Sequence, residues 1–383
     1  MVEFDKVKKI GVFVKQLPLE GCDDVFSRFN KNEYVMFPGF CDVHVHFREP
    51  GFSYKETVAT GAAAAAASGY TAVCTMPNLN PVPDSVAHLQ PQLDRIAEVP
   101  VRVLPYGSIT VGEKGRELSD LEALAPYVVA FSDDGVGVAD EGLMREAMQR
   151  CKALGKLIAG HCEDMRCEDP REREWREIER NLRLADETGC AFHVCHISTK
   201  ESVQLIRDAK QSGVDVSCET APHYLLLNTA LIDDDGRFKM NPPIHKAEDQ
   251  GALLEAVVDG TVDMIATDHA PHSAEEKSRG FEKSLNGIVG LETAFPALYT
   301  GLVTEGIVPL EKLIDLMSSA PASRFGISLS GDYAIWDLDR DYTIDPTQFR
   351  SKGRSTPFDG WPVLGRCLMT VKDGKAIYIS EDK

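Results

Sequence analysis

Two histidines flank a single valine in the run GFCDVHVH (39–46), as His44 and His46. If this run is a β-strand, residues i and i+2 point to the same face, so both imidazoles can reach one cation. Four later apolar runs also stop at an ionisable residue: Asp134 in VVAFSDDG, His161 in KLIAGHCED, His196 in AFHVCHIS and Asp268 in MIATDHAPH. A lone strand-end histidine is commonly a hydrogen-bonded core residue, and H-x-H by itself is a weak motif. Convergence of five such runs on one rim is different, because it assembles a ligand cluster. Imidazole nitrogen and carboxylate oxygen without thiolate suit a borderline ion such as zinc.

The elements that would position these groups recur along the chain. Eight short apolar runs, the five above with YTAVCTMPN (70–78), VRVLPYGSI (101–109) and VDVSCETAPH (214–223), alternate with helical patterns such as YKETVATGAAAAAASG, EGLMREAMQRCKALG and STKESVQLIRDAKQSG. The last of these predicts a capping box from Ser198 to Glu201. Strands alternating with helices imply a parallel sheet. Eight units in about 235 residues fit a closed (β/α)8 barrel, with catalytic groups at the C-terminal strand ends. A doubly wound open sheet is the alternative, but no G-x-G-x-x-G or G-x-x-x-x-G-K-[ST] turn follows an early strand. The barrel is expected over 39–325. KKIGVFVKQL, YAIWDLD and AIYIS, within 1–38 and 326–383, predict a small satellite β-domain made from both chain ends.

Composition narrows the class. With 43% apolar and 26% charged residues among 383, and no run of about 18 apolar residues, the chain reads as globular rather than membrane-spanning or disordered. A formal net charge of −19 argues against nucleic-acid or anionic-membrane binding, which leaves a basic footprint. Ten cysteines include no C-x-x-C pair, so small core residues in a reducing compartment are expected. No secretion signal opens the sequence, and a cytoplasmic location is expected.

In order, GFCDVHVHFREPG, CTMPNLNPVPD, FSDDGVGV, AGHCED, HVCHISTKES, KMNPP, IATDHAPH, GIVGLETAFP and STPFDGWPV resemble the amidohydrolase superfamily, and within it the dihydroorotases of the first class. The resemblance covers nearly the whole barrel. It implies a distorted (β/α)8 barrel and reversible cyclisation of N-carbamoyl-L-aspartate to L-dihydroorotate, with one or two Zn2+ per subunit. His44, His46 and Asp268 look like ligands of one ion, and His161 and His196 like ligands of a second. Arg48, Asn78 and His272 match positions that hold the substrate carboxylate, and Asn241 a contact to the ring. Asp268 would take a proton and return it to the departing nitrogen. A homo-oligomer and association with aspartate carbamoyltransferase are also expected. The alternatives are another cyclic amidase of hydantoinase or allantoinase type, or an inactive structural subunit.

Many relatives carry a carboxylated lysine at the end of strand four, where this chain has Asp133-Asp134. FSDDG matches the variant in which the second aspartate serves, so Asp134 is a candidate ligand and Asp133 a turn residue. Strict alternation would point Val128, Ala130, Ser132 and Asp134 to the axis and Phe131 to the helices. The charged run 163–190 is expected to be a solvated helix. His193, His269 and His223 are each expected either to support the structure or to assist a ligand.

Overall fold

The computed structural model describes residues 8–9 and 34–381. Its strands are β1 (Lys8–Lys9), β2 (Val35–Pro38), β3 (Phe40–Val45), β4 (Tyr70–Thr75), β5 (Arg102–Pro105), β6 (Ile158–Gly160), β7 (Phe192–Val194), β8 (Val216–Thr220), β9 (Met264–Ile265), β10 (Tyr333–Thr343), β11 (Pro362–Lys372) and β12 (Lys375–Ile379). β3 to β5 pair in parallel, as do β6 to β9. The two sheets join through Phe131, which bridges Gly107 on one side and Ile158 on the other. The ring closes where His269, just past β9, bridges Val45, and the His46 amide donates to the His269 carbonyl at 2.8 Å. All eight expected runs lie in this ring, the fourth as a single bridging residue, Phe131, rather than a full strand.

Helices Val58–Ala67, Val86–Ile96, Glu141–Ala153, Pro170–Thr188, Lys200–Gln211 and Ala247–Asp259 separate the strands. Side chains of Ser85, Asp140 and Asp169 cap three of them by accepting from first-turn amides. The expected Ser198–Glu201 box is not formed. Thr199 caps the helix by accepting from the Ser202 amide, because the Ser198 hydroxyl is already committed to Glu174.

Two apolar layers make the core. Cys41, Val43, Ala72, Cys74, Ala130 and Ala159 fill the barrel interior, while Phe40, Val73, Val103, Phe131, Ile158 and Phe192 pack outward under the helices. Small interior residues leave room at the rim for larger polar side chains. β3 carries one extra residue against β4, since Asp42 pairs with Val73 but Val45 with Thr75. This bulge switches the strand's alternation, so His44 points inward although Val43 does too. The Asp42 carboxylate steadies the bulge by accepting from the His44 amide at 3.0 Å. Around Phe131 alternation also slips. Ala130 faces inward and Phe131 outward as expected, but Val128 packs in the outer layer and Val129 against the inner one. A segment bridged at one residue alone has no continuous pleat to keep its phase.

β1, β2, β10, β11 and β12 form an antiparallel satellite sheet from both chain ends. Most of the expected KKIGVFVKQL strand lies outside the described residues. Trp336 of β10 seals the seam against Phe295 and Phe37, with ring centroids 4.3 and 5.7 Å away. The helix Val58–Ala67 packs against β4 and the satellite strands β11 and β12. A methyl group on Gly61 would run into the ring of Phe47, the residue after His46. Helix propensity alone favours Gly61→Ala by about 1 kcal/mol. Here the expected outcome is the reverse, a loss of roughly 1–3 kcal/mol from overpacking, read as a lower urea midpoint. An unchanged or raised midpoint would contradict this packing.

Candidate metal centre and active site

Each candidate ligand sits just past, or at the end of, a barrel segment, and the ring brings all six together. Asp134 is the common point. Its Oδ1 lies 3.4 Å from His44 Nε2, 3.7 Å from His161 Nδ1 and 3.8 Å from His196 Nε2, and its Oδ2 lies 3.5 Å from His46 Nε2. Asp268 Oδ1 is 3.2 Å from His46 Nε2 and 3.6 Å from His44 Nε2. Asp134 belongs to two candidate ion-binding groups, one with His44 and His46 and one with His161 and His196. Zinc bonds of about 2.0–2.1 Å at tetrahedral angles place neighbouring ligand atoms roughly 3.4 Å apart. These spacings therefore fit ligands around shared ions.

The donor chemistry fits as well. His44 Nε2 and Asp134 Oδ1 are buried without a hydrogen-bond partner, a costly state that a cation would relieve. Burial alone would raise the Asp134 carboxyl, but His44 and His196 override it and hold it well below the usual range. Burial likewise opposes positive charge at His44, but Asp134 and Glu219 override it upward, so the surrounding carboxylates favour a cation at this point. Asp133 turns away, accepting from the Ile109 and Thr110 amides at 2.7 and 3.0 Å. Asp133 thus anchors the 109–110 segment, while the turn itself runs over 134–136.

A cavity of about 190 Å³ opens beside the cluster, lined by Arg48, Asn78, Asn241, Asn286 and Gly287 together with five of the six candidate ligands, all but His44. Arg48 Nε donates to the Pro271 carbonyl at 3.3 Å, and Asn78 Nδ2 to the Asp134 carbonyl. Asn241 Nδ2 donates to Glu163 at 2.9 Å. His272 lies behind this wall. Its Nε2 donates to the Asn286 carbonyl at 2.7 Å and its Nδ1 accepts from Lys55 at 3.1 Å. Burial, with Arg48 and Lys55 nearby, pushes His272 down to about 3.

A family profile described as Dihydro-orotase-like matches residues 33–172. The dihydroorotase of Bacillus cytotoxicus is 44% identical over 401 aligned positions, covering 97% of this chain and 93% of the relative. The chain belongs to the dihydroorotase family. The dihydroorotase of Bacillus thuringiensis is 45% identical over 378 positions, covering 91% and 88%. Among solved structures, L-hydantoinase (dihydropyrimidinase) from Arthrobacter aurescens superposes with a TM-score of 0.81 at 27% identity, covering 91% of this chain and 86% of that one. Dihydropyrimidinase from Brevibacillus agri, at 22% identity and a TM-score of 0.77 over 90% and 84%, shares the fold.

For a dihydroorotase-family barrel, several supporting residues escape a reading by motif. The charged helix Pro170–Thr188 is not solvated all round, since its Glu174, Glu177 and Asn181 are buried. Glu174 accepts from the Ser198 and Thr199 amides, both at 3.0 Å, and so fixes the loop after His196. Glu177 accepts from the Glu163 amide at 3.0 Å, fixing the loop after His161. The signal was present as i, i+3, i+7 spacing of 174, 177 and 181, masked by the acidic residue types. Glu163 faces His161 Nε2 at 3.5 Å, leaving Nδ1 toward Asp134. Glu219 contacts His44, and a carboxylate inside the apolar run VSCET was the available sign. His193 and His269 are buried supports, His269 accepting from the Gly290 amide at 3.2 Å. His223 is buried beside Tyr224.

Burial pushes His223 down to about 4 from 6.5. With its folded pKa depressed like that of His272, the unfolded chain binds the extra protons. The resulting stability is fully present above pH about 6.5 and is lost as pH falls toward 4. His223→Asn should flatten the decline of the urea midpoint between pH 6.5 and 4.5, by at most about 1.4 kcal/mol per pH unit. A variant with the parental slope would show that His223 does not stay neutral.

Proposed function

We propose that this protein is a working dihydroorotase that closes N-carbamoyl-L-aspartate to L-dihydroorotate and reopens the ring, serving pyrimidine synthesis. The observation that carries this reading is the single Asp134 carboxylate shared by two imidazole pairs, beside a cavity whose wall bears Arg48. We assign zinc to the centre, one or two ions per subunit, with His44, His46 and Asp268 around one position, His161 and His196 around the other, and Asp134 reaching both. Such an ion polarises a carbonyl and lowers the pKa of a water it holds from about 15.7 to about 7.

The protein's own groups do the rest. Arg48 offers a planar fork to the substrate carboxylate, Asn78 stands beside it, and neutral His272 shapes that wall from behind. Asn241 meets the ring. Ring hydrolysis adds the water oxygen to the amide carbon and breaks the carbon–nitrogen bond, so one proton must leave the water and one must reach the nitrogen. Asp268 is the carrier. Burial would raise its carboxyl, but His46 and His44 reverse this and keep it ionised, ready to accept the proton and then deliver it. Ring closure runs the same transfer backward. A strongly acidic chain does not attract an anionic substrate, so Arg48 supplies the local attraction.

Among the described residues no helix is long and apolar enough to cross a membrane. Nine cysteines there are free and eight of these are buried, which supports a cytoplasmic setting. Self-association and pairing with aspartate carbamoyltransferase belong to the same proposal, and sedimentation alone and with that partner reads both.

Asp268→Asn should cut turnover by about 10²–10⁴-fold with zinc content near parental, measured by elemental analysis. A metal-loaded, fully active variant would sink the proton-carrier role. Arg48→Ala should raise KM for carbamoyl-aspartate, and an unchanged KM would remove Arg48 from carboxylate binding. Chelation should abolish dihydroorotate hydrolysis and zinc should restore it, while preferred turnover of an unsubstituted hydantoin would favour the other cyclic amidases.

A further inference from the structure

Glu219 lies wholly inside the barrel, 1% exposed, and does not line the cavity. Its Oε1 accepts from His44 Nδ1 at 2.6 Å and stands 3.3 Å from the His196 amide. Its Oε2 lies 3.1 Å from His193 Nε2, and His193 Nδ1 lies 2.8 Å from the Ser217 hydroxyl. Every polar atom along Ser217, His193, Glu219 and His44 Nδ1 thus has a partner, and the chain ends at one unpartnered atom, His44 Nε2. A carboxylate oxygen accepting at Nδ1 holds the proton there, which leaves Nε2 to face a cation.

We propose that Glu219 is a positioning residue for the metal centre: anchored by His193 and Ser217, it fixes the tautomer and ring orientation of His44 and thereby sets ion affinity. The inference rests on the dihydroorotase reading only in taking His44 as a ligand. The competing possibility is that Glu219 itself binds an ion with His44 and Cys195, whose donor atoms also lie close together. Against it, both Glu219 oxygens are already engaged, and His44 Nδ1 cannot face Glu219 as a donor and an ion as a ligand at once.

The experiment is chelator competition for zinc on the full-length apo-protein, with elemental analysis of the loaded form. Glu219→Gln keeps an acceptor for His44 but loses the charge, and Glu219→Leu removes both. Zinc affinity should fall by about 10-fold or less in the first and by about 10–100-fold in the second, with parental stoichiometry at saturation. For Glu219→Gln, zinc in excess should restore kcat with KM unchanged, which a loss of folding would not allow. His193→Gln should give a smaller loss than Glu219→Leu. Parental affinity in both Glu219 variants overturns the proposal, and so does loss of one whole zinc equivalent, which would make Glu219 a ligand. Should Glu219→Leu not fold, Glu219→Gln decides between these outcomes. Because binding is measured apart from turnover, a protein without dihydroorotase activity would leave this test intact.

Discussion

Bringing ionisable groups out of water is costly unless each finds a partner, and in this barrel the Asp134 carboxylate is where that requirement is concentrated. It stands within 4 Å of four imidazoles from three different barrel segments. No two of those segments would hold such a group alone. Ring closure through Phe131 and His269, the bulge in β3, and left-handed backbone at His196 (φ 32°) and Asp268 (φ 47°) all aim side chains at the same small volume. Non-glycine residues adopt that conformation at a cost, and the surrounding structure has to impose it.

Around the cluster, a further layer of carboxylates keeps the imidazoles oriented. Glu163 faces His161, Glu219 faces His44, and Glu174 and Glu177 hold the loops that follow two of the candidate ligands. This distribution explains how a chain with net charge −19 can still offer a site to an anion. Much of the acidity near the rim is internal and paired with histidine, amide or hydroxyl, and the cavity wall presents the Arg48 guanidinium. The satellite sheet contributes at a distance. Its Trp336 packs on Gly69 at the start of β4, where an added methyl would come within 2.8 Å of the indole, so the seam restrains the strand beside the one that carries His44.

Much of this was legible in the residue order. Alternation of short apolar runs with helical spacing predicted eight barrel segments, because period 2 and period 3.6 are properties of the local backbone. The H-x-H pair and the carboxylates and imidazoles closing other runs predicted one ligand set, and Asp134 rather than Asp133 emerged from the FSDDG resemblance. Where local rules were carried too far, they failed for local reasons. Val128 broke alternation because its segment lacks a ladder, and Ser198 gave up its cap because Glu174, twenty-four residues earlier, claimed its hydroxyl.

The sequence by itself determined the order of strands and helices, the types of the candidate ligand side chains and their place at strand ends, since each follows from neighbours along the chain. Only the tertiary structure decided that Asp134 reaches both imidazole pairs, that Glu219 rather than a residue near His44 orients that ring, that His272 stands behind the cavity wall, and that an acidic helix buries one face. These depend on distances between segments far apart in sequence, fixed by how the ring closes and where the bulge falls. A residue's type limits what it can bond, but its partner is chosen by the fold.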